Sequence, residues 1–131
     1  MAFPISEEQI AKTEAELGRR LPPVYRATIM KINGGMAFTD EDEWQIHPLK
    51  DTSDRRRISR TCNHVISETL SAREWRGFPP EALAIAGNGS GDTMILLPSG
   101  PDLFDETIYA FRHETGEVEA IADDFASFEF E

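Results

Sequence analysis

The chain has 131 residues, of which 40% are apolar and 28% charged, with a formal net charge of -11. That length suits one domain with a core of its own, so no disulfide or metal staple is needed to hold it. The acidic balance argues against nucleic acid or an anionic membrane as partner, and the longest apolar run, Met94 to Pro98, is far too short to span a bilayer.

The charge is unevenly spread. Residues 102–131 carry ten carboxylates against one cation, Arg112, and so hold -9 of the total. Such a field favours encounter with basic molecules. The opening Met-Ala-Phe-Pro-Ile-Ser reads as no secretory signal. Cys62 is the single cysteine, which fits a reducing cytoplasm.

In chain order, Ser6 is placed to cap a first helix, with Gln9 three residues later and Ile5 and Ile10 at staple positions. Gly18 stops that helix. Leu21-Pro22-Pro23 opens a second, whose apolar face is Tyr25, Thr28, Ile29 and Ile32, and Asn33-Gly34-Gly35 ends it. Met36-Ala37-Phe38 begins the sheet. Asp40-Glu41-Asp42-Glu43 reads as a solvated acidic loop, and Trp44 to Leu49 as an edge strand or extended segment. Asp54 to Leu70 predicts a third helix with Ile58, Cys62, Val65, Ile66 and Leu70 on its buried stripe. Ser71 to Gly77 predicts a further short turn carrying Trp75.

From Ala82 the spacing becomes that of strands: Leu83 to Ala86, Thr93 to Leu97, Ile108 to Phe111 and Val118 to Ala120. Met94 to Leu97 is apolar on both faces and predicts an interior strand. Ile121, Phe125 and Phe128 have helical spacing and predict a closing helix. The whole is α+β, a single domain over residues 1–131, with a mostly antiparallel sheet of about four to six short strands. Helices at the N-terminus, middle and C-terminus pack on it.

These residues taken in order resemble the SUKH superfamily, domains related to the yeast regulator of cell-wall assembly and common in bacteria as immunity proteins of polymorphic toxin systems. The resemblance rests first on Glu16-Leu17-Gly18, Leu21-Pro22, Tyr25 and Asn33-Gly34-Gly35. It continues through Trp44, Pro48-Leu49 and Gly91-Asp92, and ends with Tyr109, His113-Glu114, Ile121-Ala122, Phe125 and Phe128. It implies a non-catalytic cytoplasmic protein that binds and neutralises a cognate toxin with a basic surface. A regulatory scaffold binding a host protein is the alternative. The segment between Trp44 and Ala82 shows little of the family pattern beyond Pro48-Leu49, so the resemblance names no particular toxin.

Catalytic signals are weak. Gly87-Asn88-Gly89-Ser90-Gly91-Asp92 lacks the Lys-Ser/Thr ending of a phosphate loop and precedes a strand, so it reads as a turn. A ligand-binding or enzymatic alternative would use that turn and His113. Cys62-Asn63-His64 is too tight for a zinc pair, and Cys62 suits a core position. No catalytic residue, metal or cofactor is implied. Arg55-Arg56-Arg57 with Arg60 reads as a solvated helix face. The candidate partner-binding residues are Asp40, Glu41, Asp42 and Glu43 around a Trp44 anchor, and Asp102, Asp105 and Glu106.

Overall fold

The computed structural model describes residues 3–40 and 42–131. Glu41 of the acidic loop lies outside the described residues. The first helix, α1 (Glu7–Leu17), starts as its sequence demands: Ser6 Oγ accepts from Gln9 N at 3.4 Å, and Ile5 and Ile10 are both buried. The Gln9 side chain does not turn back on the cap. Its Oε1 accepts from Thr52 N at 3.0 Å and ties the helix to a distant loop. Gly18 closes α1 in the left-handed region at φ 69°.

The second helix, α2 (Pro23–Lys31), has no capping side chain at Pro22. Glu106, far along the chain, supplies the missing acceptor: its Oε2 takes the Val24 N–H at 3.0 Å. Beyond α2, buried Asn33 mimics a strand partner. Its Nδ2 donates to Leu49 O at 2.9 Å and its Oδ1 accepts from Leu49 N at 2.7 Å.

The strands are β1 (Met36–Phe38), β2 (Glu43–Ile46), β3 (Leu83–Asn88), β4 (Thr93–Leu96), β5 (Ile108–Arg112), β6 (Glu117–Ala122) and β7 (Glu129–Phe130). They form one antiparallel sheet in the order β6-β5-β4-β3-β2-β1-β7. Seven strands exceed the four to six expected. The α+β class stands, and β4 is the fully buried interior strand that its apolar run predicts. β2 is interior too, between β1 and β3, where an edge position was one expectation.

The middle helix is broken. It runs as α3 (Arg55–Arg60) and α4 (Val65–Ala72). Val65 N donates to Pro48 O at 2.9 Å instead of to residue 61, and the hydroxyl of buried Thr61 accepts from Asp51 N at 3.0 Å. The Val65 bond interrupts the ladder, the Thr61 bond pins the break to the Asp51 loop, and His64 Nδ1 caps the restart by accepting from Ser67 N at 3.3 Å. The predicted stripe shifts accordingly. Val65, Thr69 and Ala72 are buried, whereas Ile58, Cys62 and Leu70 are exposed. Cys62 is therefore not a core residue. Ser71 lies inside the last turn of α4, which ends at Ala72, and does not cap a further helix.

The closing helix is a single 3-10 turn, Phe125–Ser127. Ile121 belongs to β6. Asp124 Oδ1 accepts from Ala126 N at 3.0 Å, and Phe128 is already extended, which lets β7 pair with β1. The aromatic spacing serves a cluster instead of a helix face. Fully buried Phe125 meets Tyr25 edge-on at 5.0 Å and Phe130 at 5.3 Å between ring centroids. Among the described residues, no helix is long and apolar enough to cross a membrane.

Because Phe125 joins α2 to the last strand, Phe125→Ala should lower unfolding free energy by about 3–5 kcal/mol in urea titrations. A loss under about 1 kcal/mol would show that this clasp does not hold the core.

Candidate functional site

Turn geometry begins the site. In the β3–β4 hairpin, Asn88 Oδ1 accepts from Ser90 N and Asp92 N, both at 3.0 Å. The Gly-rich loop is thus organised by its own side chain, and these two N–H groups are already taken. Gly91 sits at φ 96°, and a Cβ there would come within 3.1 Å of the His113 ring. Glycine is required for both reasons.

Asp92, fixed by that hairpin, gathers the residues around it. Its Oδ1 lies 2.8 Å from His113 Nδ1 and accepts from His113 N at 3.2 Å. Its Oδ2 accepts from Arg112 Nη1 at 3.0 Å. Arg112 also donates through Nε and Nη2 to Glu119 Oε1, at 3.0 and 2.7 Å, and its Nη1 stands 3.6 Å from Asp42 Oδ2. Asn88 Nδ2 completes the ring by donating to Asp42 Oδ1 at 3.3 Å.

Three carboxylates on separate parts of the sheet share one guanidinium. A flat sheet would hold β5 about 14 Å from β2. The ion pair draws the β1–β2 turn toward β5, and residues of β1 and β7 face residues of β6 across one groove, as in a strongly curled sheet. Burial works against the Asp92 charge, but hydrogen bonds from His113, Arg112 and Asn88 together hold its carboxyl below the usual range. The hydrogen bond with Glu119 raises the Arg112 pKa, with desolvation opposing it.

The groove formed by this curl is lined by Thr39, Asp40, Asp42, Trp44, Arg112, Glu119 and Ile121. It continues along Phe38, Ala120, Asp123, Phe128 and Glu129. On the other side of Arg112 lie His113, Glu114 and Glu117. Acids therefore rim a partly apolar channel.

The structure divides the sequence candidates. Asp40 and Asp42 stand on this groove, and Glu43 is exposed on β2. Trp44 is only 1% exposed, and its Nε1 donates to Thr39 Oγ1 at 3.3 Å. It is a core residue and not an exposed anchor, since its place on β2 turns it beneath the loop. The other acidic set lies apart, at the α2 end: Asp102 O accepts from Arg20 N, Asp105 N donates to Leu97 O, and Glu106 caps α2. Arg112, Asp92 and Glu119 were missed as a site. Arg112 could have been found from its isolation among ten carboxylates.

The histidines do not converge. His64 caps α4, His113 binds Asp92, and burial pushes His47 down to about 4, leaving it neutral at pH 7. Among the described residues, no group of three or more His, Cys, Asp or Glu is arranged to hold a metal ion. In the arginine cluster, Arg57 bonds Asp54 at 2.8 Å and lies 3.5 Å from buried Asp51, while Arg60 stacks over Phe3 at 4.3 Å.

The family model for the SMI1 / KNR4 family (SUKH-1) matches residues 4–130. No curated protein and no solved structure matches the chain.

A carboxyl held low by its partners stabilises the fold above the ordinary carboxylate range, and that contribution is lost as pH falls through the folded value. Urea midpoints measured from about pH 7 to pH 2 should therefore fall less steeply on the acid side in Asp92→Asn than in the parent. Parallel curves would show that Asp92 carries no such linkage.

Proposed function

The chain belongs to the SMI1 / KNR4 family (SUKH-1), and on that premise we propose that it is a non-catalytic immunity protein that neutralises a protein toxin in the cytoplasm. The observation that carries the reading is the acidic groove built around Arg112. Its carboxylates are held at fixed positions before any partner arrives, which lowers the ordering cost of binding. A toxin that acts on nucleic acid needs a basic cleft for phosphate. An electronegative channel with an apolar floor is complementary to such a cleft and can cover it.

Charge adds speed. Steering by a field of this kind raises association rates by roughly ten- to a thousand-fold and weakens with salt. Asp40, Asp123 and Glu129 are exposed and line the groove, so they can be neutralised with little effect on the fold.

The partner to test is any toxin domain found encoded beside this gene. In stopped-flow mixing at low salt, Asp40→Asn, Asp123→Asn and Glu129→Gln combined should slow association by roughly tenfold. The unfolding midpoint should stay near the parent value, and the rate difference should shrink as salt is raised. Unchanged association at every ionic strength would contradict the proposal.

A further inference from the structure

The sheet has two ends, and they differ. β7 ends one side with two residues, Glu129–Phe130. β6 ends the other with six, Glu117–Ala122, which span about 20 Å. Among the described residues, the backbone of β6 makes ladder bonds to β5 alone, and its far side has no backbone partner. Glu117, Val118, Glu119 and Ala120 are all exposed.

Free strand edges invite pairing, and proteins guard them with proline, lysine, bulges or cover. β6 contains no proline, and its charged residues, Glu117 and Glu119, are both acidic, so they guard the edge against acidic strands and not against basic ones. It has one irregularity, a register shift opposite Ile108 and Tyr109, which leaves Glu117 to Ala120 in regular pairing with Arg112 to Tyr109. That stretch therefore keeps an unbroken ladder register along its free side.

We infer that β6 is a docking edge that accepts an extended, basic segment of a partner protein as an eighth strand of the sheet. Main-chain hydrogen bonds would supply affinity, and alternate side chains would supply choice. Charge complementarity selects the occupant. Glu117 and Glu119 project to one face of the strand, beside the acidic groove; Glu119 is held by Arg112, and Glu117, with Glu114 near it, is the carboxylate that lysine or arginine of the incoming strand meets. Val118 and Ala120 offer a small apolar surface on the other face. A second copy of this chain is the poorer occupant: edge-to-edge pairing would set these glutamates against their equivalents in two molecules each carrying -11.

The inference rests on the reading of a basic protein partner, but its test does not need the toxin. The probe is a six-residue peptide of alternating lysine and valine, with a glutamate–valine peptide as control, titrated into the full nitrogen-15-labelled chain. The lysine peptide should shift and protect alternate amides within residues 117–120, with affinity falling as salt rises, and the control should do nothing. No change, equal response to both peptides, or shifts centred elsewhere would overturn the inference. So would dimerisation through β6 without peptide.

Proline placed at the outward-facing amides, identified by their fast exchange in the free chain, should weaken the lysine peptide by roughly tenfold. Unaltered affinity in a folded proline variant would also overturn the inference. If the variant does not fold, amide mapping on the parent still decides. Peptide protection of β6 without binding of a neighbouring toxin domain would remove the immunity reading and leave this edge standing. Toxin binding with β6 indifferent to the peptide would do the reverse.

Discussion

Arg112 joins its two flanking strands, through Asp92 beside β4 and Glu119 on β6, to Asp42 on the β1–β2 turn. The acidic groove depends on that link. Without a cation at the centre, three carboxylates brought this close would repel. With it, they are positioned and remain collectively negative. The arrangement is partly exposed, so its contribution to folding is modest. Its larger effect is to fix where the negative charge stands relative to the apolar floor formed by Phe38, Ile121 and Phe128.

The rest of the fold keeps that centre in place. The Asn88 side chain shapes the hairpin that presents Asp92. Buried Trp44 supports the loop that carries Asp42 and hydrogen-bonds to Thr39 within it. On the far side, Phe125 couples α2 to the final strand, and β7 then pairs with β1. Local turns, the core and the rim are therefore mechanically linked, although the rim itself lies near solvent.

Much of this was legible in the sequence. The Ser6 cap, the Gly18 stop and the doubly apolar β4 each follow from local chemistry, and each forms as expected. Failures occur where a distant partner overrides local pattern. The Asp54 to Leu70 periodicity is broken because Pro48 O takes the Val65 N–H that a continuous helix would give to Thr61 O. Helical spacing at Ile121, Phe125 and Phe128 is satisfied instead by an aromatic cluster around an extended chain. The acids were visible as composition, but which of them gather is set by strand order and curl. Asp40 and Asp42 joined Glu119 and Asp92, while Glu106, equally acidic, became a helix cap. No local pattern encodes that division.

On the proposed reading, this member of the SMI1 / KNR4 family acts by contact, with its charge arranged before encounter. The most direct test is the hydrogen-exchange footprint left on the full chain by any toxin domain found encoded beside this gene. The account predicts protection concentrated on residues 38–42, 90–92 and 112–123, surrounding Arg112. Protection confined to α3, α4 and the α2 end, with the Arg112 face exchanging as in the free protein, would contradict it.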